Sequence, residues 1–214
     1  APPAHVAAPA VATAAAAAPV AGAEQRVIEA RDRARSAPKG KFVEVCKDVY
    51  WVGAVDFNVR DFHGIETLKG SSYNSFLILG ENPTLIDTVK APFAETILAN
   101  VRALIDPTLI RYVVVNHAEP DHSSALGDVM RACPSAQIVC TPKCRASLQK
   151  IFRGPSDRDR FVTGGSWHLA VAGTNHATSH DATASSWSYK EVKTGDKLQV
   201  GTGKTLWFME TPMV

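Results

Sequence analysis

The chain has 214 residues, 45% of them hydrophobic, with 23 Lys or Arg against 21 Asp or Glu for a formal net charge of +2. That length supplies one ordinary domain, or a domain and a tail, with enough apolar material for a real core. The interspersed, nearly balanced charges exclude the electrostatic footprint of a nucleic-acid or anionic-membrane partner, and outside one alanine tract no run of about 18 uncharged apolar residues is available to span a bilayer.

Residues 1–22, "APPAHVAAPAVATAAAAAPVAG", contain no Asp, Glu, Lys or Arg, and their repeated prolines break any long helix. They predict a disordered tail on a cytoplasmic protein. The sharper reading is the remnant of an organelle-targeting peptide, which would place the protein in an organelle lumen. Residues 24–38, "EQRVIEARDRARSAP", mix acids with Arg at helical spacing and stop at Pro38, so a short solvated helix completes the tail, residues 1–38. From residue 39 the texture is that of a folded domain. "KFVEVCKDVYWVGAV" alternates apolar and polar residues, with Asp48 marking a turn between two short strands. "SYNSFLILGENPTLIDTV" reads as strand, Gly-Glu-Asn-Pro turn, strand. In "APFAETILANVRALID" the apolar positions Phe93, Ile97, Val101 and Ile105 form a helical stripe that Pro107 ends. "IRYVVVN" is then a buried strand, "SALGDVMRAC" a helix, "QIVC" a strand and "PKCRASLQKIF" a helix. The segment at about 153–186 is rich in Gly, Ser, Thr and Asp and predicts a long inserted loop with one short strand at "SWHLAVAG". "WSYKEVKTGDKLQVGTGKTLWFMETPMV" closes with three short strands turning at "TGD" and "GTGK". Antiparallel strands followed by strand–helix alternation predict an α/β (α+β) sandwich with helices packed outside the sheets.

The four cysteines, Cys46, Cys133, Cys140 and Cys144, include no CxxC pair and follow no secretory signal, so neither a zinc ribbon nor a disulfide framework is indicated and a reducing compartment is the default. "CTPKC" has the spacing of half a zinc knuckle with no second pair to complete it.

The chemistry concentrates in "VVVNHAEPDHSSAL", which puts His117, Glu119, Asp121 and His122 just after a buried strand. Open α/β sheets place ligand sites at this end of their strands. If the segment stays extended through Asp121, side-chain alternation sets His117, Glu119 and Asp121 on one side, with Pro120 stiffening the conformation. His122 then enters the helix start, with Ser123 or Ser124 available as cap. The plainer reading is a solvated turn and a helix cap. Four ligand types at this spacing favour a metal site, and the mixed imidazole and carboxylate donors suit iron or manganese better than zinc. Two of each can serve two adjacent ions, one imidazole and one carboxylate apiece.

"NHAEPDHSSAL" resembles the HxExDH motif of the flavodiiron proteins, or A-type flavoproteins, whose N-terminal half has a metallo-β-lactamase-like αββα fold. The resemblance extends over "VYWVGAVDFNVRDFHG", "SYNSFLILGENPTLIDTVKAPF" and "VKTGDKLQVGTGKTLWFMETPMV". It implies a non-haem diiron site reducing dioxygen to water or nitric oxide to nitrous oxide. Electrons would come from an FMN in a flavodoxin-like domain, fed by a rubredoxin-type donor, with head-to-tail homodimers bringing one subunit's flavin to the other's irons. By the same resemblance His117 and Glu119 bind one iron, Asp121 and His122 the other, and His63 of "DFHG" lines the substrate side of the pocket. A loop histidine bonded to backbone is the plainer account of His63.

In the family, the segment matching "ETPMV" is followed by a further histidine ligand, a bridging carboxylate and a final histidine, none of which falls within these 214 residues. Nor does a flavodoxin-like domain, so FMN would be reached through a missing domain or a partner. The expectation is therefore an incomplete metallo-β-lactamase-like domain over residues 39–214, with two side-chain ligands per iron and weak metal binding. His168, His176, His180 and Asp181 of the insertion are either polar surface groups or substitute ligands. The competing functions are a flavodiiron-type module, a non-catalytic remnant or fragment, and a zinc-dependent hydrolase, which Glu119 disfavours.

Overall fold

The computed structural model describes residues 22–36, 42–62, 64–152 and 186–211. Residues 1–21 of the tail, the insertion with its expected strand and four candidate ligands, and His63 lie outside the described residues.

The chain opens with helix α1 (Ala23–Ser36), then strands β1 (Val43–Cys46), β2 (Val49–Trp51), β3 (Ala54–Asp56), β4 (Asp61–Phe62), β5 (Ile65–Glu66), β6 (Ser71–Tyr73), β7 (Phe76–Ile78) and β8 (Thr84–Ile86). A short 3-10 turn, Ala91–Phe93, leads into α2 (Ala94–Leu104), and a second, Pro107–Leu109, leads into β9 (Tyr112–Val114). There follow α3 (Pro120–Ser123), α4 (Leu126–Ala132), β10 (Gln137–Cys140), α5 (Pro142–Ile151), β11 (Tyr189–Glu191), β12 (Lys197–Gly201) and β13 (Lys204–Trp207).

Seven strands form one sheet in the order β1-β2-β7-β8-β9-β10-β11. The first four are joined antiparallel, and β8 through β11 run parallel. The split follows connection length: a Lys47–Asp48 turn joins β1 to β2 and Gly80–Pro83 joins β7 to β8, whereas α2 lies between β8 and β9. Asp48 takes a φ of 62°, which an aspartate in a tight turn tolerates.

Two-residue periodicity gives the sheet two distinct faces. Tyr50, Leu77, Leu85, Val113 and Ile138 pair in register across the strands and face the helices. Against this row pack Ile97, Leu98, Val101 and Leu104 of α2, Leu126 and Val129 of α4 and Leu148 of α5. The alternate positions Ile78, Val114 and Val139 face the other way and meet Leu198 and Val200 of the β12–β13 hairpin. The described residues thus form a helical layer, a seven-stranded layer and a hairpin packed on the sheet's other face. Where hairpin and sheet touch, the backbones are close enough that a Cβ on Gly80 would stand 1.9 Å from the Val200 carbonyl oxygen. Asn82 N donates to that same oxygen at 3.0 Å.

Most sequence-derived elements fall where expected. The first helix differs: it is not simply solvated, because Val27 and Ala30 are buried in the helical-side core and Arg31 donates to the Leu79 carbonyl at 2.6 Å. Its charges are spaced for water on one face, and tertiary packing claims the other.

Candidate metal centre

β8 and β9 run parallel and end side by side, and their C-terminal ends carry the candidate site. Asp87 follows β8 directly. Asn116 N donates to Asp87 Oδ1 at 2.7 Å and Asn116 Nδ2 to Oδ2 at 3.2 Å, so one carboxylate ties the two strand ends together. Asp87 has a φ of 55°, a left-handed conformation that turns the chain sharply out of the sheet. Burial raises its carboxyl above the ordinary aspartate range, against the lowering effects of the Asn116 donors and His122.

From Asn116 the chain does not remain extended through Asp121, as the alternation argument predicts. Extension stops at Glu119, with φ −70° and ψ 154°, and α3 begins at Pro120. Proline at the first helical position has its φ already set and no N–H to satisfy there. Asp121 is therefore helical. Even so, ligand atoms of His117, Glu119 and Asp121 all lie within 4.8 Å of one another. The helical turn swings Asp121 back over the two extended residues. Ser123 and Ser124 do not cap this helix: Ser123 Oγ donates to the Ala118 carbonyl at 2.8 Å, and Ser124 Oγ bonds to the Pro120 carbonyl and accepts from Ala91 N at 2.8 Å.

His122 joins the cluster from the next position. Its Nε2 stands 3.3 Å from Asp121 Oδ2, while His117 Nε2 stands 3.4 Å from Glu119 Oε2. The two imidazoles meet edge to face with centroids 5.5 Å apart. Thr88 holds the histidine's backbone, donating to the His122 carbonyl through N at 3.0 Å and Oγ1 at 2.7 Å. The His122 Nδ1 is buried and makes no hydrogen bond among the described residues; Asp87 Oδ2 is 3.7 Å away.

This donor set fits a metal. Two imidazoles and two carboxylates converge, half-buried, with the Nε2 of each histidine beside a carboxylate oxygen, and His122 presents its other nitrogen toward Asp87, as a histidine that binds metal through one nitrogen commonly does. Four donors divide into two His–carboxylate pairs, and the mixture of nitrogen and anionic oxygen suits iron.

Two residues near the cluster escaped the sequence argument. Asp87 carries a signal only in retrospect, as a lone acid ending the apolar run "TLI". Tyr73 lies within the electrostatic reach of Asp121; burial, then Asp56, pushes its phenol up to about 12. Its hydroxyl donates to Asp56 Oδ2 at 3.1 Å, and its ring packs on Phe62 and Phe93. Nothing in the local spelling "SSYNS" distinguishes it from an ordinary strand tyrosine.

Residues 72–214 match the family described as ODP family beta lactamase. The chain is 40% identical over 172 residues to the anaerobic nitric oxide reductase flavorubredoxin of Salmonella arizonae, covering 79% of this chain and 30% of that protein. A flavorubredoxin homolog from Escherichia coli O157:H7 is 39% identical over 174 residues, covering 80% and 35%. Among solved structures, the flavodiiron protein of Giardia intestinalis superposes with a TM-score of 0.59 at 36% identity, over 80% of this chain and 34% of that one. The rubredoxin oxygen:oxidoreductase of Desulfovibrio gigas gives 0.61 at 29%, over 80% and 35%. The chain thus spans about a third of the length of these relatives. With the family match running over two thirds of its residues, the chain belongs to the ODP beta-lactamase family, and the relatives that share its fold are flavorubredoxins and flavodiiron proteins.

Proposed function

We propose that this chain is the metal-binding part of a flavodiiron-type oxidoreductase. In this reading His117 and Glu119 hold one iron, and Asp121 and His122 hold the other. The observation that carries it is the convergence of these two imidazole–carboxylate pairs at the ends of β8 and β9, on a chain whose relatives are named for this chemistry. The two irons would supply the electron-transfer chemistry for reducing dioxygen to water or nitric oxide to nitrous oxide, with electrons from FMN. The chain's own part is positional: Thr88 fixes the His122 backbone, Asp87 ties the two strand ends, and Pro120 sets the turn that brings Asp121 over Glu119. The flavin would come from a flavodoxin-like domain or partner, its electrons from a rubredoxin-type donor, and a homodimer is the assembly in which they meet. Among the described residues no helix is long and apolar enough to cross a membrane.

A second reading, an incomplete site that holds metal weakly, is favoured by the donor count. Among the described residues four side chains leave two per ion, fewer than tight iron sites use. Reconstituting the 214-residue chain anaerobically with ferrous iron, beside a His117→Ala, Glu119→Ala double variant, separates the two. About two irons per chain, lost in the variant, are expected for a functional centre. Iron that is absent from both proteins sinks that reading and leaves the inherited half-site.

A further inference from the structure

Four of the seven buried polar or charged residues among those described, Ser75, Asp87, Thr88 and Ser123, stand on or beside the segments that leave the ends of β8 and β9. Three of the four carry hydroxyls, and each hydroxyl donates to a main-chain carbonyl of the candidate metal centre: Ser75 Oγ to Asp87 at 2.9 Å, Thr88 Oγ1 to His122 at 2.7 Å and Ser123 Oγ to Ala118 at 2.8 Å. A serine gains little from burial as such, since its hydroxyl gives up water and needs a partner that a methyl group in the same space would not. The carbonyls show what the hydroxyls hold. His122 is a candidate ligand, Asp87 is the carboxylate behind it, and Ala118 lies between the candidate ligands His117 and Glu119.

Ser123 occupies the joint between the two halves of the cluster. His117 and Glu119 precede the turn at Pro120, Asp121 and His122 follow it on α3, and the two halves must be set relative to each other. His122 N and Ser123 N both donate to the Glu119 carbonyl, at 3.0 and 2.9 Å, which ties the last extended residue to the helix. The Ser123 hydroxyl reaches one residue further back and fixes the peptide that joins Ala118 to Glu119. Ser75 acts from the opposite side. Antiparallel pairing of Phe76 with Ile86 sets it opposite Asp87, and Val52 N donates to its carbonyl at 2.9 Å, so the serine is itself held by its neighbours. Its bond to the Asp87 carbonyl steadies a residue with a φ of 55°, whose carboxylate lies 3.7 Å from His122 Nδ1.

We propose that Ser75 and Ser123 are positioning residues of the metal centre, Ser123 setting the spacing between the His117–Glu119 and Asp121–His122 pairs and Ser75 holding Asp87 behind His122. The proposal rests on the reading of these pairs as the ligands of two ions. Neither serine is a ligand; each acts through a neighbour's carbonyl. A backbone fixed before binding loses less freedom when its side chains close on an ion, so the two hydroxyls raise affinity without adding a donor.

The test titrates the full 214-residue chain anaerobically with cobaltous ion against a competing chelator, as the parent and as Ser75→Ala, Ser123→Ala and Thr84→Val. Thr84 is buried as well, and its hydroxyl donates to the Asn82 carbonyl at 2.8 Å, but it begins β8, at the end away from the cluster. Thr84→Val therefore removes a comparable bond without touching the site, and urea unfolding of the metal-free proteins reads the purely structural loss. We expect each serine variant to bind cobalt about 10-fold or more weakly than the parent. Thr84→Val should stay within about twofold of the parent although its urea midpoint falls. Ser123→Ala should also change the electron paramagnetic resonance of the two-cobalt form, because coupling between the ions follows their separation, whereas Ser75→Ala should leave it as in the parent. If Ser123→Ala lacks the parent's circular dichroism, Ser123→Cys, a weaker donor that fills the same place, takes over with the same expectations. Serine variants that match the parent in affinity and resonance, or all three variants losing affinity in step with their urea midpoints, would overturn the proposal and leave the metal reading intact. A parent that takes up no cobalt ends the metal reading itself, and the proposal with it.

Discussion

His122 shows how much of a candidate metal ligand's geometry is set outside its own motif. The histidine is placed by Thr88 through two hydrogen bonds to its carbonyl, and its buried Nδ1 looks toward Asp87. Asp87→Asn keeps the shape and tolerates the left-handed φ, but removes the charge facing the imidazole. It should weaken metal binding by about 10-fold or more while leaving the circular dichroism spectrum unchanged, as titration with ferrous or cobaltous ion would read. Asp106 offers a residue-scale test of stability instead. Its carboxylate accepts from Thr108 N at 3.0 Å and from Arg26 Nη2 at 2.6 Å, and Thr108, then Arg26, holds it below the ordinary range. A lowered folded value means that the stabilisation is present above the unfolded value and is lost as pH falls through the folded one. Asp106→Ala should therefore cost about 1 kcal/mol at neutral pH, with the gap to the parent closing in acid, as urea titrations at a series of pH values would show. The candidate quartet itself could be picked out in the sequence because its four residues fall within six positions. Asp87 and Thr88 were not, since they reach the site only through the pairing of β8 with β9.

At the scale of elements, the spacing of apolar residues located the helices and strands, but not what each would touch. The first helix carries alternating charges and reads as solvated, yet Val27 is 3% exposed and Arg31 is bonded to the Leu79 carbonyl in the turn after β7. Val27→Ala should cost about 1.5 kcal/mol in chemical denaturation; a purely solvated helix would show no change. The β12–β13 hairpin depends on a different device. Gly80 leaves room for the Val200 carbonyl, and Glu81 accepts from Thr202 through Oγ1 at 3.0 Å. A methyl group on Gly80 meets backbone, which cannot rotate away, so Gly80→Ala should destabilise the chain by roughly 1–3 kcal/mol. Hydrogen exchange should localise the loosening to residues 197–207. The turn "GENP" announces a reversal between strands; the close approach of a hairpin more than a hundred residues later leaves no mark on that spelling.

At the scale of the whole molecule, among the described residues, helices cover one face of the sheet and the β12–β13 hairpin packs on the other. The hairpin covers Ile78, Val114 and Val139 but leaves beside it a cleft of about 470 Å³ lined by Ile86, Val192, Leu206 and Phe208. Trp207 and Met209 at its rim are 71% and 76% exposed. Apolar surface of this kind drives association. Sedimentation velocity should show concentration-dependent self-association of the chain, reduced by the combined Trp207→Lys and Met209→Lys substitutions; a strictly monomeric parent at high concentration would contradict it.

The sequence by itself determined the order and kind of most elements, because periods of two and near four report directly which residues seek a core. It also determined the identity of the candidate ligands, because they are neighbours in the chain and their donor chemistry does not depend on the fold. Only the tertiary structure decided that Pro120 starts a helix at once and brings Asp121 back over His117 and Glu119. The placing of Asp87 against His122 and the docking of the first helix were likewise fixed there. Each of these is a contact between segments whose local spelling is satisfied in several ways, and packing the sheet selects one.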